Sequence, residues 1–513
     1  MSRPARIRLN PVGETVEAAP GSALADALAA AGVEFPCGGR GACRGCRVRT
    51  DGAALPVTPA DELKLSAAER AAGWRLACQA LVPGDLTLEL RQWAGVVLAD
   101  ESPFAFEPAD GLGLAVDVGT TTVVAQLLDR ATGRVLGTRT MVNPQARWGA
   151  DVMSRLCSAL APAGRVRLTL AIRDAIGKMI ESLLEAAPGV APVTGAVLVG
   201  NTAMHHLFLG HDVTPLAGMP FEAREPGPGR LSGVDLAWPA RARGAEVVFL
   251  PVLGGFVGSD ILAVILATGL GTPGGPAAAA DLGTNGELVV RFGDRIWVAS
   301  TAAGPAFEGA RIGQGMRAAA GAIDRVEVEA RGFRAHVIGG GEARGLCGSG
   351  LVDAVACGLA LGGVDETGRL LHGPLAVAPG VAVSQKDLRE LQLAKGAIAA
   401  GLRILAEEAG LAPWPGGPLW LAGAFGNSLS ADSARRIGLL PDWASDVRPA
   451  GNAALLGAKI ALGMPGMGRA VIETLLPRIT HVALERRPDF HDLFAEAMFL
   501  PVPAGVGGGT EIR

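Results

Sequence analysis

Two distant stretches of this chain repeat one pattern, and the repeat constrains the fold more than any other feature. LGLAVDVGTTTVVAQLLD, from Leu112 to Asp129, and AADLGTNGELVVRF, from Ala279 to Phe292, each run an apolar strand into an aspartate. Then come x-Gly-Thr, a polar residue and a second apolar strand. The aspartates, Asp117 and Asp281, stand 164 residues apart, which predicts two structurally related halves. A Gly-Thr turn between antiparallel strands exposes consecutive backbone N–H groups and a hydroxyl, a concave nest for phosphate oxygens. Gly119, Thr120, Thr121 and Thr122 would form the first turn, and Gly283, Thr284 and Asn285 the second. The aspartate before each turn is placed to hold Mg²⁺ through water or to orient an attacking water. A single turn of this kind is a weak signal, and two ordinary hairpins remain the plain alternative.

A third segment, LWLAGAFGN from Leu419 to Asn427, is a buried strand opening into small residues. Gly423, Ala424 and Gly426, with Phe425 among them, would let the base or ribose of a nucleotide lie against the backbone. The helix-like continuation from Ser430 to Gly438 has Ser430 as its candidate N-cap. Taken alone, the segment reads equally well as a tight strand-to-helix turn. Beside two phosphate turns, nucleotide binding is favoured.

A different chemistry sits near the N-terminus. FPCGGRGACRGC, from Phe35 to Cys46, carries three cysteines, and Cys78 follows, so the spacing is Cys37-x5-Cys43-x2-Cys46-x31-Cys78. Four soft thiolates complete tetrahedral coordination for two sulfide-bridged irons. Gly38, Gly39, Gly41 and Gly45 let the backbone wrap such a cluster and aim N–H groups at its sulfurs. Structural zinc is the rival, but it usually arrives as two paired C-x2-C knuckles, and only one such pair is present. Inert thiols are the remaining reading. The first gap is one residue longer than in plant-type ferredoxins, a departure shared with ferredoxins of the adrenodoxin and putidaredoxin kind. Cys157, Cys347 and Cys357 have no ligand-like spacing and are expected to be buried free thiols.

Composition narrows the partners. Net charge is −4, with no basic tract, so neither nucleic acid nor a membrane surface is expected as a partner. The first twenty residues lack an apolar core of signal-peptide length, and the longest later apolar run, Ile261 to Leu270, is too short to span a bilayer. A cytoplasmic location is therefore expected, where seven cysteines argue for metal ligation or buried thiols over disulfides.

A length of 513 residues implies several domains. Residues 1–92 read as a small mixed sheet: strands within Ile7 to Val16, a helix at Ala23–Ala31 capped by Ser22, a strand at Arg47–Thr50, a helix at Asp61–Ala71 and a strand at Asp85–Leu90. A semi-extended linker spans 93–111. The first half of the body is expected at 112–278, the second, with its adenosine site, at 279–475, and a C-terminal extension at 476–513. Several polar residues invite plain readings. His205 and His206, adjacent on a helix, are expected to point apart and not to share a metal. Glu308 and Asp260 sit in glycine-rich loops, where each carboxylate could reach Mg²⁺ or water or cap a helix, and Asp353 reads as a surface or cap residue.

The two turns and the adenosine-type segment resemble the superfamily of actin, the heat-shock chaperone ATPases and the sugar kinases, in which two RNase H-like halves clamp ATP. A closer resemblance covers nearly the whole chain. The ferredoxin loop, DVGTTT, NPQARWGADVMSR (Asn143–Arg155), VGNTAMHHLFLG (Val199–Gly210), LPVLGGFVGSD (Leu250–Asp260), DLGTNGE (Asp281–Glu287), GPAFEG (Gly304–Gly309), CGSGLVD (Cys347–Asp353) and GAFGN (Gly423–Asn427) together resemble the reductive activators of corrinoid proteins. The resemblance implies a β-grasp ferredoxin-like domain followed by a duplicated ATPase body, a multidomain mixture of α+β and α/β. It implies a 2Fe-2S cluster on Cys37, Cys43, Cys46 and Cys78, and ATP with Mg²⁺ served by Asp117, Asp281 and Glu308. The partners it implies are the Co(II) corrinoid protein of a methyltransferase system, an upstream electron donor and a second copy in a homodimer. Two other functions stay open at this point: a small-molecule kinase with a redox-sensing ferredoxin domain, and a plain ferredoxin-type electron carrier.

Overall fold

The computed structural model describes residues 3–10, 14–30, 33, 41, 46–51, 55–90, 102–149, 151–187, 189–283, 285–309, 311–319, 321–329 and 332–501. The chain divides into two compact units, residues 1–271 with 452–481, and residues 272–451 with 482–513. The first unit opens with β1 (Ala5–Asn10), β2 (Glu14–Ala18), α1 (Leu24–Ala30), β3 (Arg47–Asp51), α2 (Pro59–Lys64), α3 (Ala67–Ala71), β4 (Trp74–Leu76) and β5 (Leu86–Leu90). These strands form one sheet in the order β2-β1-β5-β3-β4. Only the β1–β5 pairing is parallel, with Ile7 opposite Leu86. Strict alternation in β1 and β5 buries Ile7, Leu9, Leu86, Leu88 and Leu90 on one face, which α1 covers through Leu24 and Leu28. The helix expected over Asp61–Ala71 is broken in two. Thr58 and Ser66 each close a capping box, with Asp61 and Glu69 respectively, so a new helix starts where one continuous helix was expected.

The rest of this unit contains β6 (Leu112–Val118), β7 (Thr122–Asp129), β8 (Val135–Val142), α4 (Val152–Ala159), α5 (Pro162–Ala186), β9 (Val193–Val199), α6 (Thr202–Leu209), β10 (Gly229–Ser232), β11 (Glu246–Phe249) and α7 (Ser259–Thr268). Sheet order is β10-β11-β9-β6-β7-β8, with β6, β9 and β11 mutually parallel and β7 and β8 antiparallel. β6 is buried along nearly its whole length, as a central strand covered on both faces must be.

The second unit holds β12 (Gly274–Leu282), β13 (Gly286–Gly293), β14 (Arg295–Thr301), β15 (Ala322–Glu329), β16 (Gly332–Val337), β17 (Gly345–Leu346), α8 (Gly348–Ala360), β18 (Leu375–Ala378), β19 (Val381–Val383), α9 (Gln385–Glu408), β20 (Pro418–Ala422), α10 (Gly423–Ser428), α11 (Ala431–Arg436) and β21 (Asp446–Gly451). Five neighbouring strands of its main sheet run β21-β20-β12-β13-β14. β12 and β20 are parallel, as are β20 and β21, while β12, β13 and β14 alternate. Strand for strand these five repeat β11-β9-β6-β7-β8, so the repeat seen in two turns extends to five strands of each sheet. After β21 come α12 (Ala453–Gly463) and α13 (Arg469–Leu475), which belong to the first unit, where α12 packs on α7 and β6. The last described helix, α14 (Phe490–Met498), lies on α9 in the second unit.

The described part of the linker, 102–111, is fastened within the first unit. Glu107 N–H donates to Gly463 O at 2.7 Å, Ala109 N–H donates to Arg130 O at 3.1 Å, and the Lys459 ammonium sits 5.7 Å from the Phe104 ring centre.

Candidate functional site

Both phosphate-type turns close in the same way. Asp117, one residue before the end of β6, lies opposite Val124 of β7 and level with Val199 of β9, and Gly119 N–H donates to Thr122 O at 3.1 Å. Asp281 stands opposite Glu287 of β13 and level with Ala422 of β20, and Gly283 N–H donates to Asn285 O at 3.0 Å. Thr120, Thr121 and Thr122 keep part of their surface, as residues that bind a ligand require. Thr284 lies outside the described residues.

The surroundings of the two turns differ. Around the first, two asparagines reach in. Asn143, fully buried, donates from Nδ2 to Gly119 O at 2.8 Å, and its own N–H donates to Thr121 O at 2.9 Å. Asn201 donates from Nδ2 to Thr120 Oγ1 at 2.7 Å. Behind Asn201, Ser259 fastens Gly200, its N–H donating to Gly200 O at 2.9 Å. Asp260 accepts from the N–H of Ile261 at 2.9 Å, so its carboxylate is engaged at the start of α7. Sequence reasoning assigned Asn143 and Asn201 no role. The one signal for them was position: each follows a strand and precedes a helical turn, in Asn143-Pro144 and Gly200-Asn201-Thr202.

Around the second turn, the aspartate itself stands out. Desolvation pushes the Asp281 carboxyl up to about 6 from an ordinary 3.8. Gly423 lies against it with φ +82°, and a Cβ there would fall 2.7 Å from Asp281 Oδ1. Only glycine can take that backbone conformation and leave the carboxylate its room. Two residues on, Phe425 turns its ring inward, stacked on Phe307 at 4.4 Å and 16°. Gly348 backs onto the same pair, with room for no Cβ between it and Phe307 O. GPAFEG, CGSG and GAFGN thus converge, and the Phe425 ring is spent on packing. Ala424 and Gly426 lie in α10, and Glu308 ends the 3₁₀ turn Pro305–Glu308 that carries Phe307. Ser430 caps α11 as expected, accepting from Ser433 N–H. Asp353 departs from expectation: it is 3% exposed and accepts from Val326 N–H at 3.2 Å, because α8 is buried along almost its full length.

In the N-terminal domain, Cys37 and Cys43 lie outside the described residues, while Cys46 is buried and Cys78 half-buried. The Cys78 thiol is lowered to about 6, first by its hydrogen bond with Cys46 and then by Gln79 and the Gly41 N–H, against the opposing effect of burial. Two sulfurs that meet, one already inclined to be thiolate and receiving a glycine N–H, suit a 2Fe-2S cluster. Gly41 has φ +66°, and a Cβ there would press on Ala60 and Gln79. Of the other cysteines, Cys347 and Cys357 are buried as expected, whereas Cys157 is exposed because α4 turns that face outward. His205 and His206 are both buried, with Nδ1 atoms 3.4 Å apart, so they do not point apart as expected. Among the described residues no group of three or more His, Cys, Asp or Glu is arranged to hold a metal ion, and no helix is long and apolar enough to cross a membrane.

Comparison with known proteins agrees with this layout. The 2Fe-2S iron-sulfur cluster binding domain matches residues 7–83, the RACo middle region 112–272, and the C-terminal domain of RACo, the ASKHA domain, 276–504. The corrinoid activation enzyme RamQ of Eubacterium limosum is 36% identical over 414 residues, 74% of this chain and 69% of that protein. A Methanosarcina barkeri reductase of a Co(II) methylated amine-specific corrinoid protein is 30% identical over 382 residues, 68% of this chain and 69% of the relative. The solved structure of a reductive activator for corrinoid, iron-sulfur protein superposes with TM-score 0.67 at 26% identity, covering 97% of this chain and 98% of that one.

These matches define an ASKHA-type ATPase body joined to a 2Fe-2S ferredoxin domain, as the sequence led one to expect. The chain belongs to the family of reductive activators of corrinoid proteins. Its cofactors are a 2Fe-2S cluster and ATP, which sets aside zinc for the cysteine loop.

Proposed function

We propose that this protein uses ATP to pass one electron to the Co(II) corrinoid of a methyltransferase system and restore Co(I). The observation that carries the reading is that one chain of this family joins the Cys46–Cys78 sulfur pair to two Asp-x-Gly-Thr turns. A bound 2Fe-2S cluster supplies one-electron storage at about −400 mV in the plant-type case. The Co(II)/Co(I) couple lies lower, and each further 100 mV disfavours transfer roughly fifty-fold for one electron, at about 59 mV per tenfold. ATP hydrolysis supplies the missing drive by changing how the activator docks on its Co(II) partner.

In this reading Cys37, Cys43, Cys46 and Cys78 hold the cluster, and Gly41 N–H stabilises the charge on the Cys78 sulfur. Gly119 to Thr122 and Gly283 to Asn285 receive phosphate oxygens. Asp281, ionised at neutral pH with its pKa raised to about 6 by burial, accepts a proton from the attacking water, Asp117 and Glu308 serve Mg²⁺, and the backbone of Gly423 to Gly426 receives the adenosine. An upstream one-electron donor refills the cluster, and the protein works in the cytoplasm as a homodimer.

Cys78→Ser tests the division of labour. Co(I) formation should fall to background while ATP turnover in the presence of the Co(II) protein continues. A variant that still makes Co(I) would contradict the reading, and one that phosphorylates a sugar or carboxylic acid would favour the kinase alternative.

A further inference from the structure

We infer that Asn201 is the positioning residue that turns the Thr120 hydroxyl into a hydrogen-bond donor for a phosphate oxygen, with Asn143 fixing the backbone of the same turn beneath it. The inference rests on the ATP reading given above and adds residues to it.

Hydrogen-bond direction carries the argument. Asn201 is the N-cap of α6, and its Oδ1 accepts the backbone N–H of Met204 at 3.0 Å. A backbone N–H can only donate, so the atom facing it is the amide oxygen, and the Nδ2 amine faces Thr120. An amide N–H2 also can only donate, so at 2.7 Å Thr120 Oγ1 is the acceptor. The hydroxyl proton of Thr120 is thereby excluded from Asn201 and left for another acceptor. Donation into Oγ1 also polarises the O–H bond and strengthens it as a donor. A threonine so arranged suits an anion more than a cation, since one of its lone pairs is already in use.

Asn143 obeys the same logic. It caps the 3₁₀ turn Pro144–Trp148, with Oδ1 accepting Gln145 N–H at 3.0 Å, so its Nδ2 must face Gly119 O. Both asparagines therefore use the oxygen to start a helical segment and the nitrogen to grip the phosphate turn. Met204 joins them, its N–H on Asn201 and its sulfur 3.3 Å from Asn143 Nδ2. Both amides are enclosed, Asn143 at 0% and Asn201 at 8% exposure, so neither can rotate away without orphaning a helix cap.

The test is a double-mutant cycle on nucleotide affinity in the full-length, cluster-loaded protein. Asn201→Ser keeps a capping oxygen but is too short to reach Thr120. Thr120→Val removes the hydroxyl at nearly constant volume. Each should raise the Kd and KM for ATP about tenfold, the loss of roughly one hydrogen bond to a charged group, with a smaller effect on kcat. The two together should cost no more than Thr120→Val alone, and Thr120→Ser should restore most of the affinity. Melting temperature and the visible spectrum of the cluster report folding independently. Additive losses, or an Asn201→Ser variant that binds ATP like the wild type, would overturn the positioning role while leaving the ATP reading intact. A wild-type protein that binds no ATP would overturn both.

Discussion

The two Asp-x-Gly-Thr turns have the same strand order, closure and flanking aspartate, yet the chain holds them by different means. The first is gripped by neutral amides, Asn143 and Asn201, that leave a hydroxyl ready to donate. The second sits against Gly423 and carries Asp281, whose carboxyl burial raises to about 6. Duplication supplied one geometry twice, and the neighbours that β9 and β20 bring beside it divided the chemistry. One turn leaves the Thr120 hydroxyl proton unused by Asn201, and the other holds a carboxyl that desolvation raises to about 6, so in the proposed reading the first would donate to phosphate and the second would move a proton.

The largest effect expected from breaking this difference is at Asp281. Asp281→Asn should lower ATP turnover by at least about 100-fold, the usual scale for losing a general base. The same change should stabilise the nucleotide-free protein. An aspartate raised from 3.8 to about 6 penalises the folded state fully above pH 6, and the penalty disappears below 3.8. At pH 7 the gain should therefore approach about 3 kcal/mol, at about 1.4 kcal/mol per pKa unit, and should shrink toward zero at pH 4 in chemical denaturation. Equal stability of wild type and variant at pH 7 would mean that Asp281 is not penalised by burial.

A smaller effect should set the two units against each other in acid. In the first, desolvation lowers His205 to about 3 from 6.5, with His206 and His211 adding to the shift, so its neutral form is the stable one. A depressed pKa contributes stability present above 6.5 that is lost as pH falls toward 3, about 2 kcal/mol by pH 5. In the second unit the Asp281 penalty eases over the same range. Hydrogen exchange read by mass spectrometry should show α6 and β9 losing protection between pH 7.5 and pH 5 relative to β12 and β20. Uniform loss across both units would contradict the contrast.

The smallest expected effect concerns α11, which follows the adenosine-type segment. Ser430→Ala should cost about 1 kcal/mol, the value of an N-cap, and leave the cluster spectrum unchanged.

Much of this was readable in the residues. Asp117, Asp281 and their turns announced themselves by repeating, and the cysteines by spacing, because both signals are local. Two capping boxes are local signals too: Thr58-x-x-Asp61 starts α2, and Ser66-x-x-Glu69 divides the expected Asp61–Ala71 helix. The grip of Asn143 and Asn201 was not readable, because it depends on β9 lying parallel beside β6, a pairing across 81 residues in the Asn201–Thr120 bond. The contact of Gly423 with Asp281 has the same origin in the β12–β20 pairing. The burial of Asp353, the convergence of His205 and His206 and the exposure of Cys157 are likewise set by which helix face meets a neighbour, and periodicity alone leaves that open.

The most direct test of the account is to follow Co(I) absorbance and phosphate release together, without oxygen, after mixing the chemically reduced protein with a Co(II) corrinoid protein, with and without ATP. The account predicts that Co(I) accumulates only with ATP and that phosphate release rises when the Co(II) partner is added. Co(I) forming equally fast without ATP, or phosphate release indifferent to the partner, would contradict it.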